Sequence, residues 1–154
     1  MPAIADLVTT DRVLLDLRVS SKRQLFQDLA AAVERASGVD QTTVLAALVQ
    51  REKLGTTGIG EGVAVPHARL KELPRLLGFF ARLAKPVDYD SLDEVPVDLV
   101  FLIVAPEDGN AEQLKALARI ARLLREPTLT ARLRRESDPA VVHDIITGRV
   151  PAGT

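Results

Sequence analysis

The sequence predicts a single α/β domain with a mixed parallel and antiparallel central sheet flanked by helices. Three observations carry this. Val97–Ala105 is an almost unbroken apolar, β-branched run, the pattern of a strand buried on both faces. Several other stretches repeat their apolar residues at the 3.6-residue helical period. Some strand-like segments follow one another with no helix between them, which a wholly parallel sheet does not allow. Helices mixed with strands in 154 residues make one domain.

Residues 1–12 read as an irregular lead-in. Val13–Val19 alternates as a first strand. Ser21 followed by Gln24 is a capping-box pattern, and the helix it opens places Leu25, Leu29, Ala32, Val33 and Ala36 on one face. Gly38 ends that helix. Asp40 caps a second one, with Val44, Leu45, Leu48 and Val49 inward, running to about Lys53 and stopping at Gly55. Val63–Val65 reads as a strand ending at Pro66, and Leu76–Leu83 as another. Residues 84–96 hold Pro86, Asp88, Asp90, Asp93 and Pro96 and read as a turn-rich connection. After the central strand, Pro106–Asn110 is a loop at its carboxyl end, where open α/β sheets gather their sites. A helix from about Ala111 to Arg125 carries Leu114, Leu117, Ala118, Ala121 and Leu124 as its stripe, and Pro127 breaks it. A helix over about Thr128–Arg135 follows. Asp138 caps a last one bearing Val141, Val142, Ile145 and Ile146.

Composition removes several functions. The chain is 47% hydrophobic and 27% charged, enough for a core and unlike a disordered chain. Its net charge of −1 gives no field for nucleic acid or an anionic membrane. Without cysteine there is no disulfide, thiol catalysis or Cys-based metal site. The densest apolar run is far shorter than the ~20 residues that span a bilayer, so no membrane insertion is expected. Met1–Asp6 lacks the basic and apolar pattern of a signal peptide, and a cytoplasmic location is the default expectation.

The chemistry gathers in Gly55–Leu70. Glycines stand at 55, 58, 60 and 62, and then Val63-Ala-Val65 leads to Pro66 and His67, one of two histidines. Pro66 biases Val65 toward extended backbone. This places His67 just past a strand end, displayed for chemistry. Neutral imidazole is a good nucleophile. No serine or cysteine partners it as in a triad, so His67 as the covalent nucleophile is the simpler reading. Arg51, at the end of the second helix, suits phosphate; a solvated helix-end arginine is the competing reading. Glu61 either orients His67, meets a basic partner, or is a turn carboxylate. Gly58–Gly62 is neither a dinucleotide fingerprint nor a P-loop, since no helix opens after it and the lysine is missing. His143 reads as a partly buried structural histidine. The two histidines lie far apart in sequence, so no metal site and no cofactor are expected. Arg132, Arg134 and Arg135 read as a solvated helix face.

Arg51 to Ala68 resembles the active-site signature of the fructose/mannitol-type (type 2) enzyme IIA domain of the bacterial phosphotransferase system. Lys85–Asp93, Pro96–Pro106 and Leu114–Leu124 resemble that family in the same order, so the likeness covers nearly the whole chain, with a core of about 8–148. The resemblance implies a mixed sheet flanked by helices. It implies that His67 accepts a phosphoryl group from a histidine phosphocarrier protein as a tele-phosphohistidine, with Arg51 at the phosphorylation site. Glu61 falls where sugar-type members can carry a glutamate and where nitrogen-type members differ. On this likeness Thr57, Gly58, Gly60 and Gly62 form a phosphate loop whose backbone N–H groups cradle phosphoryl oxygens. Phosphoryl transfer needs positioning and charge balance more than protein covalent chemistry.

One departure matters. Many members carry a second histidine early in the helix after the central strand, and Gln113 stands there. Glutamine donates a hydrogen bond but cannot become cationic. Ala68 replaces a frequent glycine. Thr56–Gly60 resembles nitrogen-regulatory members, whose partners are regulatory target proteins; a stand-alone fructose-type IIA that passes phosphate to a transporter IIB domain competes with this. Two other function classes stay open: a regulator that binds partners without turnover, which Gln113 favours, and an unrelated α/β enzyme using His67 as a base.

Overall fold

The computed structural model describes residues 7–108 and 110–148. A 3-10 turn at Thr10–Arg12 leads into strand β1 (Val13–Leu17), followed by helices α1 (Lys22–Ser37) and α2 (Gln41–Lys53). Strands β2 (Gly58–Gly60), β3 (Val63–Ala64), β4 (His67–Leu70), β5 (Leu77–Val87) and β6 (Val97–Pro106) come next. Helices α3 (Asn110–Leu123), α4 (Pro127–Arg135) and α5 (Pro139–Ile146) complete the order.

The sheet is mixed, as expected. Its order is β1-β5-β6-β3-β2, with β4 also paired to β6. β1 runs parallel to β5, and β3 and β4 run parallel to β6; the β5–β6 and β2–β3 pairs are antiparallel. β6 is central and buried on both faces. Along it Leu99, Phe101, Ile103 and Ala105 join one core cluster, and Val100, Leu102 and Val104 join the other. The first cluster is closed by α3–α5, the second by α1 and α2. Phe101 is fully buried, and truncating such a residue to alanine costs about 3–5 kcal/mol.

One register sets the position of the site. β3 pairs Val63 with Leu99 and Ala64 with Val100; β4 pairs His67 with Ile103 and Ala68 with Val104. The offset is the same (99 − 63 = 103 − 67 = 36), so β3 and β4 are one line of strand. Pro66 interrupts it because it has no N–H to give the ladder, yet its carbonyl still accepts from Ile103 N at 3.1 Å. The strand expected to end at Pro66 therefore continues, and His67 lies within it.

The local signals act with small shifts. Ser21 Oγ accepts from Gln24 N, but Gln24 Oε1 reaches back to Ser20 N rather than to Ser21. Gly38 takes the left-handed φ of 81° that ends α1. Asp40 and Asp138 cap α2 and α5. Phe26 and Ala30 are inside α1's packed face, and Ala36, expected there, is exposed. The inner face of α3 is Gln113, Ala116 and Ile120, continued by Leu124; Leu114 and Ala118 point outward. The stripe is rotated by one residue because alanine and leucine score alike as apolar, while only contact with β6 decides the face. Pro127 occupies the first turn of α4, where its missing N–H costs nothing. β5 runs on to Val87, leaving 88–96 as the connection.

Candidate functional site

His67 is held by two opposed hydrogen bonds. Its Nδ1 lies 3.0 Å from Val65 O. A carbonyl only accepts, so Nδ1 carries the hydrogen and Nε2 keeps the lone pair. Arg51 Nε donates to that Nε2 at 3.0 Å, and Arg51 Nη1 donates to Gly55 O at 3.0 Å. The half-buried ring has its pKa lowered from 6.5. Burial is the main cause; the Val65 bond opposes it, Arg51 adds to it, Glu52 opposes and Arg69 adds. The result is a neutral imidazole with its Nε2 edge turned to a guanidinium.

Strand alternation brings a second cation. His67 and Arg69 project from one face of β4, while Ala68 and Leu70 pack into the core behind. Arg69 Nε donates to Gln113 Oε1 at 2.9 Å. Gln113, in the first turns of α3, is 4% exposed despite its amide. His67, Arg51, Arg69 and Gln113 line one open hollow, with Leu54 and Leu114 on its wall. Both leucines are largely solvent-exposed, at 84% and 64%. The hollow sits where the parallel strands reach their carboxyl ends and α3 begins, the position open α/β sheets use for ligands. Arg69 was not singled out in the sequence. Its signal, the two-residue spacing from His67, has meaning only once His67 is on a strand.

The glycine stretch borders a hollow other than the one that holds His67. Gly58 and Gly60 form β2, and with Glu61 they line a separate hollow with Leu92, Asp93, Leu124 and Arg125. A Cβ on Gly58 would overlap Ser91 Oγ and come within 3.0 Å of Ser91 Cβ. Gly62, at φ 83°, sits against Arg134 and Asp98. Glu61 is exposed at φ 57°. Its N–H is taken by Asp93 Oδ2 at 2.8 Å and its carbonyl by Arg134 Nη2 at 2.9 Å. The Glu61 N–H and the Val95 N–H, which donates to Asp93 Oδ1 at 3.1 Å, lower the Asp93 pKa. Thr57 is 5% exposed, and both its N–H and its hydroxyl are given to Glu52.

Two expectations about the last helices resolve differently. His143 Nε2 lies 2.8 Å from Val8 O, a structural role as read. Arg134 is more than a solvated charge, because it makes a forked contact with Asp98 at 3.0–3.1 Å as well as the bond to Glu61. Among the described residues no group of three His, Cys, Asp or Glu side chains is arranged to hold a metal ion, and no helix is long and apolar enough to cross a membrane.

Fold and site together define an α/β domain that presents a neutral, strand-borne imidazole nitrogen against one arginine, with a second arginine lining the same hollow, an arrangement fit for an anionic electrophile. A sequence model described as "Phosphoenolpyruvate-dependent sugar phosphotransferase system, EIIA 2" matches residues 6–148. The chain belongs to that family and is a IIA component of the phosphotransferase system. A nitrogen regulatory protein of Bradyrhizobium diazoefficiens is 48% identical, over 93% of this chain and 94% of the relative. The PTS system fructose-specific EIIABC component of Bacillus subtilis is 35% identical, over 93% of this chain and 23% of that one. The crystal structure of nitrogen regulatory protein IIA-Ntr from Neisseria meningitidis superposes with a TM-score of 0.90 at 34% identity, covering 94% of this chain and 99% of that one.

Proposed function

We propose that the protein is a phosphohistidine carrier that takes a phosphoryl group from a histidine phosphocarrier protein onto His67 Nε2. The observation that carries this is the hydrogen-bond pair on the ring: Val65 O fixes hydrogen on Nδ1 and leaves Nε2 as the only nucleophilic atom. The lone pair attacks phosphorus and the donor's P–N bond breaks, its electrons returning to the donor nitrogen. As Nε2 engages, the Arg51 N–H moves from nitrogen to phosphoryl oxygen. Positive charge developing on the ring is stabilised by the Val65 carbonyl. Arg69 and the Gln113 amide supply the remaining contacts to the oxygens. The exposed Leu54 and Leu114 give a protein partner an apolar footing beside the nitrogen.

The role we infer is regulatory, as in the nitrogen regulatory proteins it resembles over nearly its full length. Onward transfer to a transporter IIB domain is the second reading, supported by the fructose-specific relative. Gln113 weighs against it, since an amide held by Arg69 offers no second titratable ring. Incubation with phosphorylated phosphocarrier protein should add one acid-labile, base-stable phosphate by intact mass, and His67→Ala should stay unmodified while keeping its circular dichroism. A wild-type protein that several phosphorylated donors leave unmodified would instead point to a regulator acting by binding alone.

A further inference from the structure

Behind the reactive face lies a polar network that the reading above does not use. Glu52 follows Arg51 on α2, and its side chain is nearly buried. It accepts Lys22 Nζ at 2.7 Å, Thr57 N at 3.0 Å and Thr57 Oγ1 at 2.6 Å. Tyr89 Oη is 2.7 Å from Thr57 Oγ1. The direction of these bonds is fixed. A carboxylate accepts only, so the Thr57 hydroxyl spends its hydrogen on Glu52 and must accept from Tyr89. The phenol remains protonated, because burial and the Glu52 charge raise its pKa. Lys22 closes the network, donating to Tyr89 O at 3.0 Å and lying 4.2 Å from the centre of the Tyr89 ring.

Thr57 connects this network to both reacting groups. Its carbonyl accepts from Val65 N at 2.9 Å, and Val65 O holds His67 Nδ1. Two residues before it, Gly55 O holds Arg51 Nη1. One short segment, 55–57, therefore mounts the imidazole and the guanidinium together, and the Glu52 carboxylate fixes that segment to α2.

We propose that Glu52 and Thr57, backed by Tyr89, are positioning residues that hold His67 in its Nδ1–H tautomer and Arg51 against its Nε2. The proposal rests on the carrier reading for its kinetic consequence but not for its structural one. A buried, fully directed set of bonds transmits small displacements to the site, and errors of about 1 Å in reacting groups cost up to ~10²-fold in rate.

Thr57→Val keeps the shape and removes the hydroxyl, Thr57→Ser restores it, and Tyr89→Phe removes only the phenol oxygen. Two readouts are taken on each: ¹⁵N NMR of the His67 ring in the unmodified protein, and the rate of phosphorylation against donor concentration. Thr57→Val should lower kcat about tenfold or more with donor KM unchanged, and mix the Nε2–H tautomer into His67. Thr57→Ser should restore both, and Tyr89→Phe should shift both the same way by less. A wild-type tautomer and kcat in folded Thr57→Val, or no recovery in Thr57→Ser, would overturn the proposal. If Thr57→Val does not fold, Tyr89→Phe decides alone, and wild-type values there overturn it. Absence of phosphorylation in the wild type would sink the carrier reading, while the tautomer measurement would still judge this one.

Discussion

The two halves of Gly55–Leu70 do opposite work. At Gly58–Gly62 the backbone is clamped by side chains from far along the chain: Asp93 on the Glu61 N–H, Arg134 on its carbonyl, and Ser91 against Gly58. At His67–Arg69 the backbone is plain strand, and His67 and Arg69 line an open hollow. The first half is braced by distant side chains, and the second carries the site we propose. Left-handed glycine and close packing buy shape, whereas chemistry needs only a regular strand and the right side chains on one face of it. Substitutions in the two halves should therefore separate stability from activity.

Arg51→Ala should give the largest effect. Losing a preorganised cation at a developing anion costs about 10²-fold in rate, and Arg51 makes both the Nε2 bond and the Gly55 bond. The phosphate should still appear on His67, and urea unfolding should change little, since the side chain is only half-buried. A rate equal to wild type in single-turnover transfer would take Arg51 out of the site.

Gly58→Ala is the converse. The new methyl meets Ser91, which is buried, and overpacking of this kind costs about 1–3 kcal/mol. The same methyl comes within 3.3 Å of Tyr89 Cδ1, so its phosphorylation rate should fall by no more than that of Tyr89→Phe. Ser91→Gly in the same chain should recover most of the loss. If Gly58→Ala instead slowed transfer by more than that without destabilising the fold, the glycine stretch would be part of the site after all.

The parts legible in the sequence were those governed by near neighbours. Gly38, Asp40 and Asp138 cap as their types require, and the apolar run of β6 could only be a central strand. The His67 prediction rested on Pro66, which does stiffen the approach. Whether the chain resumes as strand after Pro66 depends on Ile103 and Val104 lying alongside, and no local signal carries that. The same gap hid Arg69. The glycines were read toward a ligand because a missing Cβ says that something comes close without saying what; here it is Ser91 and Asp98. The Glu52–Thr57–Tyr89 contacts join residues from α2, its following turn and the 88–96 connection, and such polar networks leave no periodicity to find.

Arg134→Ala tests the brace from its other side and should act less strongly. It removes a partly exposed forked contact with Asp98 and the bond to Glu61 O, together worth about 1–2 kcal/mol once solvent screening is allowed for. Glu61 sits at a left-handed φ, so its turn should loosen first. Faster amide exchange at Glu61 and Gly62, with an unchanged phosphorylation rate, is the expected pattern. Slowed transfer would show that the brace reaches His67.

The smallest effect separates the halves by pH. His67 has its pKa lowered below 6.5 in the folded protein, chiefly by burial. Between the folded value and 6.5 the unfolded chain binds a proton that the native ring does not, so stability rises with pH across that window. Going down through 6.5 the His67 contribution is progressively lost, and below the folded value it changes no further. Above 6.5 the ring is neutral in both states and contributes no slope. Replacing the ring with an amide that does not titrate removes this dependence. Other groups cancel when wild type and His67→Gln are compared, so their stability difference should move in favour of His67→Gln as pH falls from neutrality through this window. Arg134→Ala, which leaves the surroundings of His67 intact, should differ from wild type by the same amount throughout. Urea unfolding of the three proteins at several pH values measures both differences. A constant gap between wild type and His67→Gln would mean that the imidazole titrates as it does in water, and that the protein does not hold it neutral for attack.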